Sequence, residues 1–251
     1  MGRGRLVCAC WLAAGVVVLC LTPARTQAQR GGGAPTARAG AAVDITGTWV
    51  SVISDDWRRR MVVPRKGDYA GTPLTPAARR IADTWDPARD EAAGEQCKGY
   101  GAPAVMRLPG RLRVTWQDDT TIRMELEAGS QIRLLRFGAG PSPSEASWQG
   151  YSVAAWQYPG VRLNPGREGR LRVVTSGLRA GYLVKNGVPY SASTTMTEYF
   201  HRLEAPTGES WLRVVSEVRD PENLREPYVL IAHFKKLPDG AAFNPEPCSV
   251  G

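Results

Sequence analysis

The stretch RLRVTWQDDTTIRMEL, residues 111–126, carries the clearest structural pattern in the chain. Large apolar side chains recur at every second position in both of its halves: Leu112, Val114 and Trp116, then Ile122, Met124 and Leu126. A period of two is typical of a strand with one buried face. Asp118 and Asp119 separate the halves, and aspartate favours turns. The stretch therefore predicts a β-hairpin.

Similar short runs lie on both sides of this hairpin, most of them separated by Gly, Pro, Asn or Asp. The further candidate strands are 44–53, 131–137, 148–157, 170–175, 192–203, 210–218 and 228–236. About nine short strands with scarcely any helix predict an all-β domain, either a single antiparallel β-barrel or a sandwich. Residues 182–190, YLVKNGVPY, predict another hairpin with Asn-Gly as its tight turn. That hairpin would place Tyr182 and Tyr190 on opposite arms at a barrel mouth.

One short helix is predicted within the long insertion, roughly residues 54–106, that follows the first strand. Thr75 can cap it, and Pro76 occupies the first turn, where a missing N–H costs nothing. Apolar residues then recur at helical spacing, at Leu74, Ala78, Ile81 and Trp85. The insertion would act as a lid or a plug at one barrel end, with Trp85 holding the helix against the barrel.

The N-terminal residues have the composition of a secretory signal peptide. Arg3 and Arg5 precede the apolar run Leu6 to Leu21, and small residues around Ala28 suit a signal peptidase. A transmembrane anchor is the alternative, but a run of about 16 residues is short of the roughly 20 that span a bilayer. We therefore expect a cleaved signal peptide at 1–28, a disordered spacer at 29–42, a barrel domain at 43–251 and a secreted or periplasmic protein.

Cleavage would leave Cys97 and Cys248 as the only two cysteines. An even pair in an oxidising compartment predicts one disulfide, with two free thiols as the alternative. The formal net charge of +8 also falls, because Arg3, Arg5 and Arg25 leave with the leader.

The remaining basic residues are spread along the chain and are densest at Arg58-Arg59-Arg60, Arg65 and Lys66. No nucleic-acid-binding motif accompanies them, so no nucleic-acid partner is predicted. A solvated basic face is the preferred interpretation, and attraction to an acidic cell surface is the alternative.

A family resemblance rests on residues spread over most of 44–248. Gly47-x-Trp49 at the first strand resembles the lipocalin and calycin signature. The wider pattern is Cys97, Gly101-x-Pro103, Trp148-x-Gly150-x-Ser152 with Trp156, Glu198-x-Phe200, Asp220-Pro221 with Pro227, and Cys248. Together these residues resemble a large group of secreted bacterial proteins of lipocalin-like (calycin-like) appearance. The resemblance implies an exported up-and-down barrel, with Trp49 closing one end, and implies no activity.

Two charged residues break the apolar pattern of their strands. Glu198 shares a face with Met196 and Phe200, so we expect it to point into the barrel. A buried carboxylate needs a partner or a shifted pKa. Arg136 shares a face with Ile132 and Leu134 and is the predicted partner. The two would form a structural ion pair or the polar anchor of an internal cavity.

Trp116, Trp156 and Tyr190 are the aromatic residues predicted to accompany Glu198 and Arg136 in a ligand site. Tryptophan and tyrosine offer broad apolar contact with a polar edge. Such a site would hold a small apolar or amphipathic molecule, and ordinary packing is the alternative role for each ring.

The sequence predicts no metal site and no cofactor. Its only histidines are His201 and His233, and it contains no nucleophile elbow, P-loop or dinucleotide fingerprint. Two functions remain: a small-molecule-binding barrel, or a barrel enzyme of hydrolase, lyase or isomerase type with Glu198 as general acid/base. A filled barrel would instead indicate a structural or interaction module. The oligomeric state is not predicted.

Overall fold

The computed structural model describes residues 34–54, 56–138, 140, 144–158 and 169–250. The predicted signal peptide, 1–28, lies outside these residues. Within them, no helix is long and apolar enough to cross a membrane.

The described residues contain eleven strands, nine of which form a closed barrel. The strands are β1 (Gly47–Val52), β2 (Arg111–Trp116), β3 (Thr121–Leu126), β4 (Gln131–Phe137), β5 (Tyr151–Gln157), β6 (Arg170–Ser176), β7 (Gly181–Val184), β8 (Val188–Tyr190), β9 (Thr195–Glu204), β10 (Ser210–Arg219) and β11 (Tyr228–Lys236). The order around the barrel is β1-β11-β10-β9-β6-β5-β4-β3-β2, and β7 and β8 form a separate hairpin. The predicted mostly β fold and closed barrel are thus confirmed.

The barrel is mixed rather than wholly antiparallel. Strands β4 and β5 run parallel, with Leu135 opposite Ser152, whereas the other neighbouring barrel strands run antiparallel. A parallel pair needs a connection that returns the chain to the starting end. The segment between Phe137 and Tyr151 makes that return. The prediction of a purely antiparallel barrel was wrong at this one junction, because residue alternation does not encode strand direction.

The two barrel ends differ in what covers them. One end, which we call the mouth, is where β1 begins and where β2, β4 and β5 end, at Trp116, Phe137 and Gln157. The opposite end, which we call the capped end, is where β9 begins and β10 ends. The hairpin β7–β8 and buried residues of the insertion, among them Tyr69, Leu74 and Ala78, form a second buried cluster there, together with Met196 and Val218.

Apolar side chains from all nine barrel strands, most of them large, fill the barrel interior. They include Trp49, Leu112, Met124, Leu135, Ala154, Leu171, Phe200, Leu212 and Phe234. Trp49 is completely buried, and its Nε1 donates to the Ile45 carbonyl oxygen at 3.0 Å. This packing leaves the barrel axis occupied by protein side chains.

Besides a short 3₁₀-helix at Gln96–Tyr100, the insertion contains four short α-helices among its described residues, where the sequence predicted one helix. They are α1 (Trp57–Arg60), α2 (Pro76–Asp83), α3 (Pro87–Ala92) and α4 (Ala102–Val105). The predicted helix is α2, whose N-cap Thr75 accepts from the Ala78 N–H at 3.1 Å.

The face by which α2 packs is the predicted one at Leu74 and Ala78 but not at Ile81. Ile81 is 52% exposed, while Ala78 and Ala82 are fully buried. Trp85 lies against Gly187, where an added Cβ would stand 2.2 Å from the Trp85 Cβ. The helix therefore packs on the β7–β8 hairpin rather than on the barrel, because its two alanines allow closer approach than its larger apolar residues.

The predicted disulfide between Cys97 and Cys248 is present, with Cα atoms 5.1 Å apart. It fixes the C-terminal segment beside the turn that precedes β4, where Ser130 Oγ donates to the Glu246 carbonyl oxygen at 3.0 Å. The last described residues are thereby tied to the capped end.

Part of the predicted spacer, from residue 34 onward, is described, and it packs on the mouth. The Arg38 N–H donates to the Asp119 carbonyl oxygen at 3.1 Å, and the Gly169 N–H donates to the Ala42 carbonyl oxygen at 3.0 Å. We call residues 35–42 the N-terminal strap. Its backbone hydrogen bonds to barrel loops replace the disorder that its small-residue composition predicted.

Candidate functional site

Glu198 lies inside the barrel, paired with Arg133. Arg133 Nη1 donates to Glu198 Oε1 at 3.1 Å, and Arg133 Nη2 donates to Glu198 Oε2 at 2.6 Å. Both side chains are completely buried. This bidentate geometry is the strongest form of an arginine–carboxylate contact. Each charge offsets the desolvation of the other, which is the condition for burying either one.

Small hydroxyl side chains complete a buried polar layer around this pair. Thr175 Oγ1 accepts from Arg133 Nη2 at 3.4 Å and lies 2.8 Å from Ser152 Oγ. Ser216, which is 5% exposed, stands beside Glu198 in the β9–β10 pairing. The layer crosses five strands and separates the apolar barrel core from the cluster at the capped end.

Arg136, the predicted partner of Glu198, lies on the outer surface. Its guanidinium stands 5.1 Å from the centre of the Tyr151 ring, and Nη1 donates to the Leu134 carbonyl oxygen at 3.2 Å. Ile132 on the same face is 44% exposed. Strand β4 has apolar residues on both faces. The sequence analysis took the face of Ile132 and Leu134 as the buried one and therefore assigned Arg136 to the interior. The buried face is the one that carries Leu135 and Phe137, and Arg133 belongs to it.

The polar layer is poorly suited to acid/base catalysis. Both carboxylate oxygens of Glu198 accept from Arg133, and the layer lies between two packed apolar clusters. A general acid or base needs a proton within reach of substrate. The arrangement favours the structural ion pair among the alternatives that the sequence left open.

Trp116 and Trp156 lie together at the mouth, with Phe137 between them. The ring centroids of Trp116 and Phe137 are 5.7 Å apart, those of Phe137 and Trp156 are 5.1 Å apart, and those of the two tryptophans are 6.4 Å apart. All three side chains are partly buried against the barrel core. We call these rings the aromatic trio.

A pocket of about 260 Å³ opens beside the trio and is bounded by residues from the strap side of the mouth. Its walls are formed by Arg38, Ala41, Val43, Asp44, Ile45, Thr46, Trp116, Ile122 and Trp156. Trp156 Nε1 donates to the Ala37 carbonyl oxygen at 2.7 Å, which fixes the strap to the trio. This mouth pocket is mainly apolar, with one guanidinium and one carboxylate among its lining residues.

Tyr190 is far from these rings, in the cluster at the capped end. It is 1% exposed, and its hydroxyl is packed against Gly101 and Gly181, where an added Cβ would lie 2.1 Å and 2.8 Å from Tyr190 Oη. Among the described residues, this hydroxyl has no hydrogen-bond partner. Burial raises the Tyr190 pKa above its ordinary value of 10.0. The structure therefore does not bring Tyr190 together with Trp116, Trp156 or Glu198.

A second pocket lies beside the basic cluster, and no pattern in the sequence predicted it. Arg60 is only 8% exposed, whereas Arg58, Arg65 and Lys66 are exposed. A pocket of about 370 Å³ lies beside Arg59, Arg60 and β11. The interpretation of Arg58-Arg59-Arg60 as a solvated face was therefore wrong for Arg60. Successive arginines of α1 point in different directions around the helix, so Arg58 is exposed while Arg60 is buried. This short helix has no apolar periodicity from which its buried side could be predicted.

Among the described residues, no group of three His, Cys, Asp or Glu side chains could hold a metal ion. Comparisons with known proteins gave little further information. No family model matches the chain, and no curated protein matches it. One solved structure, a biotin binding protein from chicken, is 12% identical over 51% of this chain and 89% of its own, with a TM-score of 0.27. A likeness this slight does not bear on the ligand of this chain.

Proposed function

We propose that this protein is an exported β-barrel that binds a small apolar or amphipathic molecule in the mouth pocket. The observation that carries the proposal is the aromatic trio beside a 260 Å³ pocket. Aromatic walls with a few polar groups are typical of small-molecule sites. Trp116 and Trp156, two of the residues that the sequence analysis proposed as ligand contacts, both belong to this trio.

The composition of the mouth pocket supports an amphipathic ligand in particular. Val43, Ile45 and Ile122 would contact an apolar body, and all three are buried. Arg38 and Asp44 supply polar contacts at the strap side. Large side chains fill the barrel axis, which taken alone favours a structural or interaction module, so the proposed ligand lies in the mouth pocket and not in the barrel centre.

An exported location rests on two features of the chain. The N-terminal residues have the composition of a signal peptide, and the disulfide between Cys97 and Cys248 suits an oxidising compartment. The closed barrel and the buried Trp49 are in keeping with a lipocalin-like fold, while the parallel β4–β5 pair departs from an up-and-down barrel. No contact described for Glu198 favours the alternative function as an enzyme.

A ligand screen tests the proposal directly. Thermal-shift measurements with fatty alcohols, sterols and plant aromatics should give hits whose stabilisation grows with ligand concentration. Trp116→Leu and Trp156→Leu should reduce the ligand-induced shift, whatever their effect on the unliganded melting temperature.

Trp148→Leu is the matched control, because Trp148 lies at the capped end under the Arg179 guanidinium, 4.3 Å from its ring centroid. This variant should retain the full ligand-induced shift. The proposal fails if no compound stabilises the protein, or if all three variants reduce the shift equally.

A further inference from the structure

A short segment that follows the end of β1, at the capped end of the barrel, exposes large apolar side chains. It comprises α1 and the residues after it as far as Lys66, and we call it the α1 segment, residues 57–66. Trp57, Met61 and Val62 are each more than half exposed, and Val63 is exposed as well. Single exposed apolar residues need no explanation, but four within one short segment form a patch of the kind that marks an interaction site.

The apolar surface continues from the α1 segment onto β11. Val229 and Ile231 on the outer face of this strand are each about half exposed. They line the same pocket as Arg59 and Pro64 of the segment. A partner that covers both elements would therefore remove more apolar area from water than the segment offers alone.

Basic side chains flank the apolar ones in the α1 segment. Arg58 lies near its start and Arg65 and Lys66 lie at its end, and all three are exposed. The segment contains no acidic residue. Arg60 is buried, so it is not counted among these surface charges. An apolar centre with a basic border is the pattern expected of a site that contacts an anionic lipid surface.

The described acidic residues beside the segment in sequence, Asp56 and Asp68, contact other arginines. Both lie near Arg59, at 3.8 Å and 3.4 Å, and Asp56 Oδ2 is 2.9 Å from Arg107 Nη2. The chain from residue 29 onward is also basic as a whole, with 29 basic and 24 acidic residues. Its long-range electrostatic field therefore attracts an anionic surface rather than repelling it.

We propose that the α1 segment docks the protein on an anionic lipid surface. Met61 and Val62 enter the boundary between headgroups and acyl chains, where their burial removes apolar area from water. Trp57 lies at the headgroup level, which suits a ring with an apolar body and a polar N–H. The Arg58 guanidinium, 5.3 Å from the centre of the Trp57 ring, contacts a lipid phosphate.

This docking site is independent of the proposed ligand site. The mouth pocket lies at the opposite end of the barrel and shares no lining residue with the pocket beside the α1 segment. A docked protein would therefore keep its mouth open to solvent. Trp116→Leu, which alters the mouth, should leave membrane binding unchanged, so failure of one site and failure of the other are distinguishable.

Co-sedimentation with lipid vesicles tests the proposal. The full chain without its predicted signal peptide is mixed with vesicles of equal parts phosphatidylcholine and phosphatidylglycerol, or with vesicles of phosphatidylcholine alone. Binding should be about tenfold stronger to the anionic vesicles, because each basic side chain near the surface adds to the attraction. Added salt should weaken this binding, because it screens the charges.

Three variants locate the contact on the α1 segment. Met61→Ser/Val62→Ser should weaken binding to the anionic vesicles about tenfold, because two apolar side chains no longer leave water. Arg58→Gln and Arg65→Gln should each weaken it about three- to fivefold. All of these side chains are exposed, so the melting temperatures should stay close to that of the unaltered protein.

Ile132→Ser and Arg136→Gln are the matched controls. Ile132 is an exposed apolar residue and Arg136 a partly exposed arginine, and both lie on β4, on the opposite side of the barrel from β11. Their substitution should change vesicle binding by less than about twofold. Equal weakening by the control variants and the α1-segment variants would overturn the proposal.

The proposal also fails if neither vesicle binds the protein or if neutral vesicles bind it as strongly as anionic ones. Two further outcomes would assign the patch to another partner and overturn membrane docking. One is binding to polyglutamate as tight as to anionic vesicles and unchanged by Met61→Ser/Val62→Ser, which indicates an acidic polymer. The other is a dimer in size-exclusion chromatography that the same double variant dissociates, which indicates a second copy of this chain.

Discussion

Arg133 and Glu198 join two barrel strands that are not neighbours. Arg133 lies on β4 and Glu198 on β9, and β5 and β6 stand between them in the barrel. The pair therefore spans the junction between β4 and β5, whose parallel register covers only three residue pairs. A buried bidentate contact at this place reinforces the shortest pairing in the barrel.

Breaking this ion pair should strongly destabilise the fold. Glu198→Gln or Arg133→Met leaves one buried group without its partner, and either change should lower the free energy of unfolding by about 3–5 kcal/mol. The double variant Arg133→Met/Glu198→Gln should lose less than the sum of the single losses, because no charge then stays buried. Urea denaturation measures all three variants. A Glu198→Gln variant of unchanged stability that lost ligand binding would instead restore a functional role for Glu198.

Asp220 should make the stability sensitive to acid. Burial alone would raise its pKa, but hydrogen bonds from Asn223, Ser191 and the Glu222 N–H outweigh burial and lower the pKa below its ordinary value of 3.8. A carboxylate whose pKa is lowered by folding contributes stability above its unfolded pKa and loses it as the pH falls through the folded pKa. Urea midpoints should therefore fall below about pH 4.

Asp220→Asn identifies the contribution of this carboxylate. The amide NH₂ of the new side chain would face N–H donors, so the variant should lose about 3 kcal/mol at neutral pH. Its stability should also depend less on pH in the acid range than that of the unaltered protein. The exposed Asp239 is a suitable control for substitution to Asn. An equal acid dependence in the Asp220 variant would contradict this assignment.

The strand pattern was predictable because each barrel strand has one buried face. β4 and β11 begin and end at the predicted residues, 131–137 and 228–236. The pairing of particular charges was not predictable. Arg133 and Arg136 are three positions apart on a strand with apolar residues on both faces, so neither could be assigned inward without the neighbouring strands.

The pockets depend on contacts between distant segments, which local patterns do not encode. The pocket beside Arg59 and Arg60 joins α1 to Arg107 and to Tyr228, and no local sequence pattern marks either of these two residues. The aromatic wall of the mouth pocket was partly predictable, since Trp116 and Trp156 are the last inward-facing residues of their strands. The strap was not, because its small residues bind through their backbone rather than through a recognisable side-chain pattern.

The close packing around Tyr190 predicts a specific coupling to Gly101. Gly101→Ala would place a Cβ 2.1 Å from Tyr190 Oη and 3.0 Å from the Trp148 carbonyl oxygen, so it should cost about 1–3 kcal/mol of stability. Tyr190→Phe removes the crowded hydroxyl and should itself be nearly neutral. In the Tyr190→Phe background, Gly101→Ala should cost less. The losses are measured by thermal or urea unfolding. If the stability losses of the two single variants simply add in the double variant, then the added methyl group does not clash with the Tyr190 hydroxyl.

Loss of the disulfide should destabilise the whole domain. Cys97 and Cys248 are 151 positions apart, so the bond restricts a long loop of the unfolded chain. The double variant Cys97→Ser/Cys248→Ser should be less stable by about 2–5 kcal/mol. Mass spectrometry of the unaltered protein without reductant should find two hydrogens fewer than in the free-thiol form. Equal stability with and without reductant would contradict this expectation.

The strap should control access to the mouth pocket through Trp156. Trp156→Phe keeps an aromatic ring in the trio but removes the hydrogen bond from Nε1 to the Ala37 carbonyl oxygen. Loss of one such bond costs about 1 kcal/mol, so hydrogen exchange of the strap amides, including that of Arg38, should become about fivefold faster. Amides in β10 should exchange at their original rate, since the barrel pairing is untouched.

Tyr158→Phe, which removes only the bond to the Gly40 carbonyl oxygen on the exposed side of the strap, should loosen the strap without altering the trio. If ligands enter where the strap lies, both variants should speed ligand association, and unchanged strap exchange in Trp156→Phe would show that other contacts hold the strap in place.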